Sequence, residues 1–258
     1  MTGQPLDIRS RDNPLVVALK KLAQDSAGYR RQQAVWLEGD HLLAAALQRG
    51  VEPDTAVITE SAWEQRPDLR ALARRCGRVV RLPEALMAAI SGLPSPPPIG
   101  ARLALPAAVR IDPAAATVVL DRLQDAGNVG SILRSAAAFG VGQVLALKGT
   151  AALWSPKVLR AGMGAHFGLR LVEGLSVDDL AALQVPLVAT SSHAGAALGS
   201  VPLPRPCAWV LGHEGQGVQP GVTARCALTL RIPQPGGEES LNVAAAAAVC
   251  LYESSLSR

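Results

Sequence analysis

Near its C-terminus the chain runs Leu230-Arg231-Ile232-Pro233, turns through Gln234-Pro235-Gly236-Gly237-Glu238-Glu239, and reads Ser240-Leu241-Asn242-Val243 before five consecutive alanines, Ala244 to Ala248. The alanines predict a helix reaching about Tyr252, and a helix without bulk fills no core from a distance. Some other backbone must therefore approach it very closely. A strand stopped by proline, a glycine turn and polar side chains at a helix mouth leave backbone amides unpaired, which makes that mouth a binding edge.

At 258 residues, 49% hydrophobic and 18% charged, the chain has enough apolar material for two ordinary domains with real cores. The apolar run Val243 to Leu251 is too short to span a bilayer, so no membrane partner is expected. Arg9, Arg11, Lys20 and Lys21 punctuate the N-terminus where a signal sequence would be apolar, and the expected location is cytoplasmic. Cys76, Cys207, Cys226 and Cys250 occur singly, which predicts reduced thiols and no thiolate metal site. The formal net charge is +4, with 14 Lys+Arg against 11 Asp+Glu up to Arg102 and 11 against 10 beyond it, so the basic excess lies mainly in the first part. Eight aromatic residues are too few for a base-stacking platform.

Asn13-Pro14 predicts a helix entry, and Leu15, Ala18, Leu19 and Leu22 keep helical spacing to Gln24. Tyr29-Arg30-Arg31-Gln32-Gln33 is a basic patch before a short strand at Ala34 to Leu37. Alone it reads as a solvated face; beside Arg9 and Arg11 it reads as a phosphate-facing one. A helix opening at Gly39-Asp40 and closing at Gly50, a strand at Thr55 to Thr59, a helix from Ala62 to Arg75, a strand at Val79 to Leu82 and a helix from Pro83 to Ile90 predict a small α/β domain over 1–91. Arg66, Arg70, Arg74, Arg75 and Arg78 raise the same two readings along one helix and its exit. Pro94, Pro96, Pro97 and Pro98 stiffen the following stretch, predicting a linker over 92–102 and a second domain over 103–258.

The second domain opens with the apolar strand Thr117 to Asp121 and a helix whose buried stripe is Val129, Ile132, Leu133 and Ala136, closed by Gly140. On a 100° wheel Arg134 falls away from that stripe. A strand, a glycine turn and a helix suggest dinucleotide binding, but only Gly127 and Gly130 are present, and the next strand ends in Lys148 where a ribose-binding acid is needed. Strands at Val144 to Leu147, Val185 to Thr190, Cys207 to Leu211 and Ala227 to Ile232 are nearly continuous apolar runs, as in a parallel sheet covered on both faces. Leu211 leads into Gly212-His213-Glu214-Gly215-Gln216-Gly217, a glycine-dense loop at a strand end where ligands of open α/β sheets sit.

Three segments in order, Asp125 to Arg134, Leu211 to Gly217, and Ile232-Pro233 with Ser240 to Val243, resemble the three motifs of the SpoU (TrmH) RNA methyltransferases. The resemblance covers about the last 155 residues. It implies a SPOUT fold, a parallel sheet flanked by helices with a deep C-terminal trefoil knot, and a homodimer that uses S-adenosylmethionine to methylate a ribose 2′-hydroxyl of RNA. The first domain is similar in layout to the L30e-like RNA-binding domain of many members, which favours ribosomal RNA over transfer RNA and points to Arg9, Arg11, Arg30 and Arg31 as RNA contacts.

Residue by residue, the resemblance places the cofactor at Leu211, Gly212, Gly217, Ile232 and Leu241, with Thr190 as a neighbour. Asn128, Arg134, Glu214, Ser240 and Asn242 match catalytic and RNA-facing positions. Arg134 is the family's proposed base; a guanidinium is nearly always protonated, so phosphate binding and orientation of the hydroxyl come first among its roles. Asn128 holds Arg134 or the ribose, or is simply a helix cap. Glu214 orients Arg134 or RNA, and Ser240 and Asn242 also read as caps. Ala126 replaces a frequent proline, and His213 stands where small polar residues are common. His41, His166 and His193 share no metal-ligand spacing. A silent RNA-binding protein and a base-methylating relative of the same fold remain as other classes.

Overall fold

A computed structural model of the chain describes residues 4–105, 109–192, 194–236 and 240–256. His193 and Gly237, Glu238 and Glu239 of the predicted turn lie outside them. The chain divides into two compact units, one built from 1–107 with 154–167, the other from 108–153 with 168–258.

The first unit contains β1 (Leu6–Asp7), α1 (Pro14–Gln24), α2 (Gly28–Gln32), β2 (Ala34–Glu38), α3 (Asp40–Gln48), β3 (Thr55–Thr59), α4 (Glu60–Gln65), α5 (Pro67–Ala73), β4 (Arg78–Leu82), α6 (Glu84–Ser91) and β5 (Ile99–Ala104). Its sheet runs β1-β4-β3-β5-β2, and β5 lies antiparallel between β3 and β2. The predicted linker over 92–102 therefore ends inside the sheet: Gly100, Ala101 and Arg102 pair with both neighbours, and the prolines only deliver the chain to this strand. Gly100 is required there because a Cβ would fall 2.2 Å from the Trp36 ring. The single helix expected from Ala62 to Arg75 is two, because Pro67 holds Arg66 extended, at φ −119° and ψ 85°. The Asn13 side chain caps α1 by accepting from the Leu15 N–H, with Pro14 in the first turn.

The second unit contributes β6 (Thr117–Asp121), α7 (Ala126–Ala138) and β7 (Gln143–Leu147). The chain then lends α8 (Pro156–Gly162) to the first unit, where Arg160 pairs at 3.1 Å with the buried Glu38 of β2. Beyond it come β8 (Arg170–Leu175), β9 (Leu187–Thr190), β10 (Ala196–Ala197), β11 (Ala208–Gly212), α9 (Pro220–Thr223), β12 (Leu228–Arg231) and α10 (Val243–Ser255). A helix expected at Val177 to Leu183 is a 3-10 turn, Asp178–Ala182.

All seven strands are parallel, in the order β10-β12-β9-β11-β6-β7-β8. From β6 the chain winds outward through β7 and β8, then returns on the other side of β6, so the order reverses between β6 and β11. Crevices of open α/β sheets form at such a reversal, beyond the carboxyl ends of the strands. One face buries Val119, Leu145, Leu187, Ala208 and Val210 with Leu180 and Val222. The alternate residues Val118, Leu120, Trp209 and Leu211 are buried too, as a doubly covered sheet demands. Helix α10 packs on α7 and β11, and Trp209 Nε1 donates to Ser254 Oγ at 2.7 Å.

Candidate active site

Four loops leave the carboxyl ends of neighbouring strands: Arg122 to Asp125 after β6, Ser191 onward after β9, His213 to Gln219 after β11, and Ile232 onward after β12. The first follows a fully buried carboxylate at the end of β6. Asp121 accepts from Gln219 N at 2.7 Å, Gln219 Nε2 at 2.6 Å and Arg122 Nε at 3.0 Å, three donors that make its burial tolerable. Arg122 has φ +61°, a left-handed conformation costing a β-carbon residue on the order of 1 kcal/mol.

Asp125 caps α7, its Oδ1 accepting from Asn128 N at 2.7 Å. The cap expected of Asn128 is thus supplied by its neighbour, and the Asn128 amide is released for other work. It donates through Nδ2 to Glu214 Oε1 at 3.2 Å and accepts through Oδ1 from Asn242 Nδ2 at 3.0 Å. Asn242 in turn caps α10, its Oδ1 taking the N–H groups of Ala244 and Ala245 at 2.9 and 3.4 Å. Glu214 also receives Gln124 N and Asp125 N at 3.5 and 3.4 Å. Residues from all three motifs therefore form one hydrogen-bonded chain. Burial pushes the Glu214 carboxyl up, but its hydrogen bonds to Asn128 and to backbone N–H groups prevail and hold it below the ordinary glutamate value. Of the two roles expected of Glu214, orienting Arg134 or RNA, no hydrogen bond or ion pair to Arg134 is present among the described residues, and the carboxylate is engaged by Asn128.

Arg134 is exposed and makes no hydrogen bond or ion pair among the described residues. It stands on an open face of α7 with Gly127, Ser131 and Ala138. Ser240 is exposed beside the mouth of α10 and takes no part in its cap.

The residues expected at the cofactor lie at or just beyond the carboxyl ends of β9, β11 and β12, with Leu241 before the mouth of α10. Leu211 is buried in β11, and Gly212 ends that strand where a Cβ would fall 2.2 Å from Gly217 C and Val218 N. Only glycine fits. The loop closes on itself through His213 N to Gly217 O at 3.1 Å and Gly217 N to His213 O at 2.8 Å, with Gly217 at φ +66°. His213 Nδ1 accepts from Gly215 N at 3.0 Å and Gln216 N at 3.3 Å, which sets the loop's shape from within. Thr190 turns its hydroxyl to Val210 O at 3.0 Å. Ile232 is half-buried just past β12, and Leu241 is 41% exposed.

Of the four RNA contacts expected in the first unit, Arg9, Arg30 and Arg31 already have partners within the protein. Arg9 meets Glu60 at 3.2 Å, and Arg31 meets Asp25. Arg30 lies over the Tyr29 ring, 5.2 Å from its centroid. Arg11 instead joins Lys20 and Lys21 around a groove of about 620 Å³ with Asp12, Val16, Val17 and Gln24. No hydrogen bond or ion pair occupies these three cations among the described residues. The arginines near α5 are occupied internally: Arg66 by Asp68, Arg70 by Trp63 O, Arg74 by the Trp63 ring and Arg78 by Thr55.

Sequence reasoning missed Asp121, Arg122, Gln216 and Gln219. A carboxylate ending an otherwise apolar strand was the available signal. Cys76, Cys207 and Cys250 are buried and Cys226 half-buried, all as free thiols, and burial pushes Cys250 up to about 12.

Residues 115–252 match the model of the SpoU rRNA Methylase family. An uncharacterised tRNA/rRNA methyltransferase of Synechocystis is 34% identical over 98% of this chain and 94% of its own length. A 23S rRNA (guanosine(2553)-2′-O)-methyltransferase of Bacillus subtilis is 31% identical over 84% of this chain and 86% of its own. The AdoMet-bound rRNA methyltransferase of Sinorhizobium meliloti superimposes with a TM-score of 0.83 at 26% identity, covering 98% of both chains.

Proposed function

Since this chain belongs to the SpoU rRNA methylase family, we propose that it transfers a methyl group from S-adenosylmethionine to the ribose 2′-hydroxyl of one nucleotide in ribosomal RNA. The observation that carries this reading is the hydrogen-bonded chain from Asn242 through Asn128 to Glu214, which joins three motif segments at one sheet edge. The Bacillus subtilis relative, a guanosine 2′-O-methyltransferase of 23S rRNA, supports the ribose hydroxyl and the ribosomal target. The Sinorhizobium meliloti relative, whose structure holds bound AdoMet, supports the cofactor. The chain's own residues fit that cofactor: Gly212 brings two backbone segments together without side-chain bulk, and Leu211, Gly217, Ile232, Leu241 and Thr190 surround it in the reading.

S-adenosylmethionine would supply an electrophilic methyl group at this edge. The protein must then hold the 2′-oxygen in line, give its proton a way out and neutralise the adjacent phosphate. Arg134, exposed and uncommitted, takes the phosphate with its planar fork and orients the hydroxyl, whose proton leaves to a phosphate oxygen or to water because a protonated guanidinium cannot accept it. Asn128 and Asn242 fix the mouth of α10, where Ser240 meets the RNA. Glu214 keeps Asn128 in the orientation that leaves the Asn242 bond intact.

The reading extends to the rest of the chain. The first unit acts as an L30e-like RNA-binding domain, with Arg11, Lys20 and Lys21 as its phosphate contacts. The C-terminal segment forms the SPOUT knot, supported by close backbone approaches such as Gly195, where a Cβ would fall 2.1 Å from Thr229 O. Two copies pair through α10, which exposes Val249 and Tyr252. A ribosomal target accords with the cytoplasmic location expected from the sequence. Among the described residues no helix is long and apolar enough to cross a membrane.

The test is methyl transfer from labelled cofactor to total RNA, followed by nucleoside analysis. A 2′-O-methylnucleoside in ribosomal RNA is expected. Methyl on a base, methyl in transfer RNA, or no transfer overturns the corresponding part of the reading.

A further inference from the structure

We infer that Asp121 and Arg122 are positioning residues that hold the loop after β11 in its cofactor-binding shape. This rests on the reading of that loop as the cofactor's seat. Neither residue belongs to the segments that resemble the family motifs, and neither touches the hydrogen-bonded chain of Asn242, Asn128 and Glu214.

The geometry is a two-point staple. Asp121, with a fully buried side chain, holds Gln219 at one end of the loop through its backbone N–H at 2.7 Å and its side-chain amide at 2.6 Å. Arg122 reaches the middle of the loop, donating to Gln216 Oε1 at 2.9 Å and to Gly217 O at 3.4 Å. Asp121 also fixes the guanidinium by accepting from Arg122 Nε at 3.0 Å. One buried carboxylate thus orders both arms.

The backbone of Arg122 is held for the same purpose. At φ +61° it adopts a conformation that favours glycine or asparagine, yet a long cation stands there. Its N–H donates to Thr150 Oγ1 at 3.0 Å, and that hydroxyl donates to Leu120 O at 3.0 Å. Gly149 lies against the side chain: a Cβ there would fall 3.2 Å from Arg122 Cγ. A strained residue held by its surroundings and aimed at a binding loop is the pattern of preorganisation. The loop's own His213–Gly217 bridge closes the turn but does not tie it to the sheet. Without the staple the competent shape is one member of a wider ensemble, and cofactor affinity falls in proportion to its population.

Arg122→Gly tests this: glycine suits the positive φ, which offsets part of what the buried Asp121 loses when one of its three donors is removed. Calorimetry of the full chain with S-adenosylmethionine is expected to show a Kd raised about tenfold, with the KM for RNA unchanged and the circular dichroism of the folded protein retained at a lower Tm. Amide exchange should quicken over 213–219 and nowhere else in the second unit. Arg122→Lys, which keeps charge but not the fork, should recover only part of the affinity, and Asp121→Asn should mimic Arg122→Gly. If wild-type protein binds the cofactor and Arg122→Gly binds it within twofold, the staple is refuted while the functional reading stands. If wild-type protein itself takes up no S-adenosylmethionine, that reading falls and the staple's role falls with it.

Discussion

Asn242 Nδ2 donates to Asn128 Oδ1 across 3.0 Å and 114 positions of sequence. Each amide is used at both ends, since Asn242 also caps α10 and Asn128 also donates to Glu214. The bond therefore ties the mouths of α7 and α10 together. Residues in one network couple energetically, so Asn128→Ala and Asn242→Ala should be non-additive. A double-mutant cycle on kcat/KM is expected to give a coupling of about 1 kcal/mol, and strict additivity would mean that the bond does not matter to turnover.

Glu214 carries a pH prediction. Its folded-state pKa lies below the ordinary glutamate value, because hydrogen bonds to the ionised form outweigh burial. A depressed carboxyl contributes above its unfolded value and loses that contribution only as pH falls through the folded one. Folding stability should therefore stay level from neutral pH down to the ordinary glutamate range and fall as pH drops through the depressed Glu214 value. Thermal unfolding followed by circular dichroism at a series of pH values checks it. Glu214→Gln should lower Tm at neutral pH and flatten the acid limb.

Arg134 separates binding from turnover. Truncation to alanine removes a phosphate and hydroxyl holder while leaving the glycine loops intact, so kcat should fall on the order of 100-fold with the cofactor Kd unchanged. Lysine restores charge without the two-pronged fork and should recover less than about a tenth of the lost rate. Near-wild-type turnover of Arg134→Lys would count against both base and clamp.

The basic groove of the first unit predicts a salt signature. Arg11→Ala, Lys20→Ala and Lys21→Ala combined remove three cations that have no intramolecular partner among the described residues. Each lost contact to single-stranded phosphate lowers the slope of log K against log salt by about 0.7, so the triple variant should lose about 2. Filter binding at several salt concentrations measures this. Arg9→Ala, which disrupts only an exposed pair with Glu60, should change the slope much less.

Much of this was legible in the sequence, for physical reasons that differ by residue. Apolar runs such as Thr117 to Asp121 and Thr55 to Thr59 announce strands buried on both faces, and their bounds match the structure. Asn128, Glu214 and Asn242 were legible as a set through their resemblance to family motifs, although which bonds which was not, because amides pair in any order. Composition hid β5: a proline-rich approach reads as linker, while its pairing with β2 and β3 depends on partners distant in sequence. Charge alone did not show the ion pairs of Arg9 and Arg31, since Glu60 is a distant acceptor and Asp25 sits across a turn. Arg122 gave no sign, because a left-handed arginine is a property of its neighbours.

Helix α10 carries the last prediction. It exposes Val249 at 41% and Tyr252 at 55%, on the side of Ala245, while Ala247, Cys250 and Leu251 face inward. Spacings of four and three residues put Ala245, Val249 and Tyr252 on one side of the helix, an apolar strip that pairing would cover. Tyr252 also meets the Phe139 ring edge-on at 5.9 Å, so Val249 is the cleaner probe. In a lone chain Val249→Arg places a cation in water at little cost; in a paired one it buries an uncompensated charge, which dimers do not tolerate. Sedimentation velocity should show the wild-type chain at twice its 26.8 kDa mass and Val249→Arg at the single mass with unchanged circular dichroism. A wild-type monomer, or a Val249→Arg dimer of wild-type strength, would remove α10 as the pairing surface.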